Sequence, residues 1–208
     1  AEIITWYRAH KRPLPWRETK NPYFIWLSEI ILQQTRVDQG MAYYFKFIER
    51  FPSIFDLAQA SEQDVLNLWQ GLGYYSRARN LHRTAQQIVE VYQGAFPTSY
   101  EGLLSLKGVG PYTAAAIASF AFDLPHAVLD GNVFRVLSRI NNWSVPINST
   151  QGKKDFERLA NEFLDHQNPG LFNQAMMEFG ALHCKPTQAH CSVCPISIHC
   201  LAFQSKTV

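Results

Sequence analysis

The chain has 208 residues, 47% of them hydrophobic and 17% charged, with a net charge of +2 and a pI near 8.4. It is long enough for a packed core in one domain or two small lobes, and too weakly charged to mark a nucleic-acid binder on charge alone. No apolar run reaches the roughly 20 residues that a membrane span needs, and no basic-then-apolar leader opens the chain, so no membrane partner is expected.

Taken in order, the elements are helical almost throughout. Asn21-Pro22 is a cap and first-turn pair and predicts a 16-residue helix from Pro22 to Val37. A second helix is predicted from about Met41 to Phe51, ended by Pro52. Ser61 opens EQDVLNLW, with Val65, Leu66 and Trp69 at helical spacing and Gly71 and Gly73 closing it. Tyr74 to Tyr92 carries an apolar stripe of Leu81, Ala85, Ile88, Val89 and Tyr92. Pro97-Thr98 starts a short helix to Leu106, and Pro111 to Phe122 forms another. Asp130-Gly131 precedes VFRVLSRI, Ser149 caps a helix to His166, and Pro169 opens one to Leu182. With no alternating strand pattern, the expected fold class is all-α.

All four cysteines lie in the last 25 residues, as C-x6-C-x2-C-x5-C from Cys184 through Cys191 and Cys194 to Cys200. A secreted disulfide framework is not spread this way, which predicts a reducing cytoplasmic setting. Thiolates this close converge on a metal centre or on local disulfides. One close pair flanked by two medium gaps suits a [4Fe-4S] cluster better than the paired spacing of zinc sites, although His183, His190 and His199 keep zinc open.

The stretch LKGVGPYTA (106–114) places Gly108 and Gly110 around Val109, between a helix end and a small-residue helix start. It lacks the lysine and spacing of a nucleotide P-loop and has no preceding strand for a dinucleotide fingerprint. Two outcomes fit: a plain corner between helices, or a turn whose outward backbone N–H groups bind an anion such as a phosphodiester.

Several longer motifs are shared with a known family. LPWR (14–17), WLSEIILQQT (26–35), LWQGLGYYSRARNL (68–81), LKGVGPYTA, LDGNVFRVL (129–137) and FNQAMMEFGALHC (172–184) resemble the endonuclease III superfamily of DNA glycosylases, and within it the adenine-directed MutY type. The similarity covers nearly the whole chain. It implies two helical lobes with a DNA-binding cleft: a six-helix barrel with the helix-hairpin-helix motif over 22–124, and an iron–sulfur cluster lobe from 1–21 and 125–208. It implies that the cysteine loop holds a [4Fe-4S] cluster, and that the partner of a monomeric enzyme is double-stranded DNA bearing A:8-oxoguanine or A:G.

Base excision is N-glycoside hydrolysis through an oxocarbenium-like transition state, on a nucleotide taken out of the stack. Glu29 stands among Trp26, Leu27, Ile30, Ile31 and Leu32, either as an exposed glutamate on an otherwise buried helix or in surroundings that disfavour its charged form and suit an acid; the resemblance makes it the group that protonates adenine. Asp130 occupies an N-cap position, which favours an anion and alone would make it a plain helix cap; the resemblance makes it the stabiliser of the cation, oriented by Asn132 and Tyr112. A lysine in place of Tyr112 forms a Schiff base in the endonuclease III branch. Tyrosine cannot, so a monofunctional enzyme is expected. Arg12, Trp16, Arg17, Leu32 and Gln174 match the adenine pocket, Gln34 and Tyr74 match residues that wedge into the stack, and Lys107 with the amides of Gly108 and Gly110 is assigned to DNA phosphate. Arg77, Arg79 and Arg83 are either further phosphate contacts or a solvated helix face. The family also carries a C-terminal domain that helps recognise 8-oxoguanine, and this chain ends at Val208, so adenine excision is better supported than a strict 8-oxoguanine preference. The alternatives are a thymine-directed mismatch glycosylase, and an iron–sulfur DNA-scanning module with little catalysis.

Overall fold

A computed structural model describes residues 2–208, and among them it contains twelve α-helices, short 3-10 turns and no strand, the all-α class expected. The chain forms two compact units, 14–122 and 1–13 with 123–208. Residues 14–21 therefore pack with the first unit, not with the N-terminal helix as expected, because Leu14 and Trp16 are buried there and the Trp16 ring stands edge-on to Tyr44.

The first unit contains α2 (Pro22–Ile31), α3 (Val37–Arg50), α4 (Ile54–Gln59), α5 (Glu62–Trp69), α6 (Ser76–Tyr92), α7 (Tyr100–Leu104) and α8 (Pro111–Phe122). α2 and α8 are apolar on nearly every face and pack on each other at the centre, while α4 and α5 pack on α6 and α7 packs on α8. The 16-residue helix expected from Pro22 stops at Ile31, and α3 begins at Val37 rather than Met41. Leu32 N–H still bonds back to Ser28, but Gln34 turns left-handed (φ 55°) and the carbonyls of Ile30 and Ile31 are taken by Arg77. α4 lies in a stretch with no predicted helix. Its start is set by Ser53, whose hydroxyl accepts from Asp56 N–H while the Asp56 carboxylate accepts from the Ser53 amide, a capping box that a six-residue helix needs. α7 begins two residues later than the Pro97-Thr98 signal, at the Ser99 cap.

The second unit contains α1 (Glu2–His10), α9 (Gly131–Asn141), α10 (Thr150–Phe163), α11 (Pro169–Leu182) and α12 (Leu201–Gln204). α11 packs on α1 and α9, and α10 and α12 also pack on α9. Its core holds Tyr7, Val136, Leu137, Phe156, Ala175, Met176 and Phe179. α10 stops three residues short of His166, where Leu164 leaves helical geometry and is buried. No helix among the described residues is long and apolar enough to cross a membrane.

Candidate active site and cysteine cavity

In the first unit, Glu29 lies in the last turn of α2 and is 8% exposed, with Ser28, Ile30 and Ile31 buried beside it. Tyr112 stands in the first turn of α8, the helix packed on α2. The segment before α8 is a tight turn held by α6. The Thr84 hydroxyl donates to the Lys107 carbonyl, the Gln87 side chain accepts from Lys107 N–H at 3.2 Å, and Val109 N–H closes on the Leu106 carbonyl at 3.1 Å. Gly108 has φ +74°, and a Cβ there would sit 3.0 Å from Asn80 Cβ, so the position needs glycine twice over. Among the described residues the amides of Gly108 and Gly110 bond to no protein acceptor, and the Lys107 side chain is exposed.

Gln34 and Tyr74 share an unusual geometry. Both are non-glycine residues with left-handed backbone, φ 55° and 48°, and both side chains are exposed, that of Tyr74 to 67%. Trp16 is buried, and Arg17 and Leu32 are half-buried.

In the second unit, Asp130 caps α9. Its Oδ1 accepts from Val133 N–H at 2.8 Å and its Oδ2 from the Asn132 amide at 3.0 Å, so both oxygens are fixed. Asn132 is held in turn by Arg135, which donates to its Oδ1 at 2.8 Å and to the carbonyls of Gly180 (2.7 Å) and Cys184 (2.9 Å). α11 and α9 touch at backbone level here: a Cβ on Gly180 would lie 2.7 Å from Asn132 Cβ and 2.9 Å from its carbonyl oxygen. The loop leading to Asp130 hangs on buried Asn173, which donates to the His126 carbonyl at 2.8 Å and accepts from Val128 N–H at 3.1 Å. Arg12 grips fully buried Glu178 with a fork of two 2.8 Å bonds plus its own backbone N–H. Removing Arg12 would strand the fully buried Glu178 carboxylate and cost about 3–5 kcal/mol. Gln174, one turn before Glu178, accepts from buried Tyr7 at 3.3 Å.

All four cysteines are unbridged and half-buried, and they line one cavity together with Arg139, Phe179 and His183. Burial and the neighbouring thiols push Cys191 up from the ordinary thiol range and Cys194 up to about 11. Arg139 donates to Cys184 Sγ at 3.3 Å and to the Lys185 carbonyl at 2.6 Å. His183 is buried, stacked on Phe179 with ring centroids 4.9 Å apart, and among the described residues its Nε2 has no partner. Among the described residues no three His, Cys, Asp or Glu side chains converge closely enough to hold a single metal ion. The thiols surround a space instead.

Residues 27–165 match the HhH-GPD superfamily of base excision DNA repair proteins. The chain belongs to that superfamily. Its relatives include proteins named adenine DNA glycosylase from Buchnera aphidicola (subsp. Baizongia pistaciae), 42% identical with 97% of this chain and 57% of the relative covered, and from Homo sapiens, 43% identical with 97% and 39% covered. The chain thus spans about half the length of the curated relatives it matches. A solved thermostable thymine-DNA glycosylase is 29% identical with a TM-score of 0.90, covering 98% of this chain and 94% of that one. An endonuclease III–DNA complex shares the fold at a TM-score of 0.81 and 20% identity, covering 99% of this chain and 93% of that one.

Within this HhH-GPD chain, the structure joins Asp130 to Asn132 and gathers the four cysteines round one cavity. Glu29, Tyr112, Trp16, Arg17, Leu32, Gln34, Tyr74 and the 107–110 turn belong to the first unit, and Arg12, Asp130, Asn132, Gln174 and the cysteines to the second. Sequence reasoning missed Glu178, Asn173, Gly180 and Arg135. Only Arg135 had an available signal, its i,i+3 spacing from Asn132 on a predicted helix. Arg77 belongs neither to a solvated face nor to a phosphate grip, since its guanidinium is turned onto backbone carbonyls. Arg79 pairs at the surface with Glu62 at 3.6 Å.

Proposed function

We propose that the chain is a monofunctional adenine-DNA glycosylase that excises adenine paired with 8-oxoguanine or guanine. Its relatives of 42% and 43% identity carry the name adenine DNA glycosylase, and the observation that carries the assignment is Glu29, a carboxylate buried in an apolar helix. A carboxyl placed on an apolar helix within reach of the flipped base is the kind of group that can act as general acid to a leaving group. Glu29 protonates the departing adenine, and Asp130 faces the cationic sugar, its two oxygens held by Val133 N–H and Asn132 so that little reorganisation is needed as charge develops. Tyr112 carries no amine, so no imine with the sugar forms and the strand is left intact after base loss.

The adenine has to leave the duplex first. Gln34 and Tyr74 wedge into the gap, Arg12, Trp16, Arg17, Leu32 and Gln174 receive the base, and the amides of Gly108 and Gly110 with Lys107 hold the phosphates. Cys184, Cys191, Cys194 and Cys200 hold a [4Fe-4S] cluster. Four thiols around one cavity, with an unpartnered buried imidazole nitrogen beside them, suit a sulfur-ligated group larger than one ion. When bound, such a cluster cross-links the 184–200 loop and fixes its fold.

Single-turnover cleavage of duplexes carrying A:8-oxoguanine, A:G, T:G and undamaged pairs tests the assignment, with Glu29→Gln alongside. Adenine release that Glu29→Gln abolishes is expected. The thymine-DNA glycosylase neighbour favours a second outcome, in which T:G is cut and adenine is not. Glu29 argues for the first, because the thymine branch is expected to lack this acid.

A further inference from the structure

One guanidinium reaches both loops that carry the wedge. From α6, Arg77 Nη1 donates to the carbonyls of Ile30 (3.0 Å), Ile31 (3.3 Å) and Gln33 (2.6 Å), and Nη2 to those of Leu72 (3.3 Å) and Gly73 (3.4 Å). The five acceptors come from two segments far apart in sequence. One runs directly into Gln34 and the other directly into Tyr74, the exposed left-handed residues described above. Left-handed backbone at a residue with a side chain is strained and persists only where the surroundings hold it. Arg77 supplies that hold at both places. Its Cζ also lies 5.0 Å from the Trp69 ring centroid and 5.8 Å from that of Tyr74, and the Trp69 indole donates to the same Gly73 carbonyl at 2.9 Å. The residue further lines a small cavity whose wall includes Trp26, Asn80, Lys107 and Gly108, so it borders the hairpin turn as well.

We infer that Arg77 is a positioning residue for base extrusion: it ties the 30–33 and 72–73 segments together so that Gln34 and Tyr74 enter the base stack as one preformed wedge. Five carbonyl dipoles on one planar cation make a rigid joint, and the flat fork is what spans them. A lysine has three donors on a single point and cannot reach two segments at these angles, so Arg77→Lys is not conservative here. Arg77 touches neither the reacting sugar nor the base; it acts through the two wedge residues. The inference rests on the glycosylase assignment and extends it from chemistry to the step before chemistry.

The test compares two substrates, one in which adenine is paired with 8-oxoguanine and one in which it sits unpaired in a single-nucleotide bulge, where extrusion costs less. Arg77→Lys is expected to slow single-turnover release from the paired substrate at least tenfold and from the bulge less than threefold. The fluorescence rise of a 2-aminopurine placed beside the target should slow by the same factor as paired release. In a Gln34→Ala/Tyr74→Ala background, Arg77→Lys should add less than twofold. Equal losses on both substrates, or full additivity with the wedge variants, would overturn the inference. Wild-type protein inactive on every adenine substrate would overturn the glycosylase assignment instead. If Arg77 variants lose helical circular dichroism, the wedge variants decide alone: a joined wedge predicts that Gln34→Ala, Tyr74→Ala and the double variant slow paired release equally, and independent additive losses count against it.

Discussion

Two carboxylates sit at opposite kinds of helix end. Glu29 lies in the last turn of α2, buried among apolar side chains, where the helix presents carbonyls and the negative end of its dipole. Asp130 stands at the N-cap of α9, half-buried, with a backbone N–H and a side-chain amide aimed at its two oxygens. The first carboxylate stands at the carbonyl end of a helix and the second is held by two donors at the amide end of one. The proposed acid and the proposed anion thus differ in the direction of the helix each belongs to.

The sharpest way to break that contrast is to make each site neutral and polar. Glu29→Gln keeps the shape and removes the proton donor, so adenine release should fall about a thousandfold in single-turnover assays, in the middle of the range for general acids, with the melting temperature unchanged or raised. Asp130→Asn should cost about a hundredfold in rate, yet leave the melting temperature nearly unchanged, because asparagine caps a helix as well as aspartate does. Asp130→Ala should lose the rate and also about 1 kcal/mol of stability with the cap. An Asp130→Asn enzyme that keeps its rate would reduce Asp130 to a cap.

A smaller effect tests how the anion is held. Arg135→Gln leaves Asp130 untouched but loosens Asn132, and it strips donors from the Gly180 and Cys184 carbonyls. About a tenfold fall in single-turnover rate is expected, with DNA affinity unchanged in a binding titration and stability down by about 1–3 kcal/mol. The smallest effects lie in the hairpin. Gly110→Ala has open space for its methyl in the protein, so it should melt like wild type, while the methyl keeps a phosphate from closing on the 110 amide and DNA affinity drops about tenfold, the worth of one charge-assisted hydrogen bond. Gly108→Ala should instead lose about 1–2 kcal/mol of stability, from its positive φ. Affinity that barely changes with salt would remove the phosphate grip altogether.

Where local chemistry decides, sequence and structure agree: Ser61, Ser149, Pro111 and Pro169 begin helices because each cap or first-turn signal acts within four residues. The Asp130 cap and the cysteine grouping were legible for the same reason. The break after Ile31 was not, since WLSEIILQQT has no helix-stopping residue and the stop comes from Arg77, more than forty positions away. Glu178 was hidden similarly, as a charged residue on an apolar helix whose partner lies 166 positions earlier. Long-range polar pairs leave no periodicity in the sequence, and several of the connections that position the candidate site are of that kind.

The contact between Gly180 and Asn132 bears on how variants of this protein should be sorted. Any side chain at 180 must displace the backbone of Asn132, with the helix that Asp130 caps. Substitutions at Gly180 will therefore fall with the active-site losses in a functional screen, and the two positions are not free to drift independently of each other.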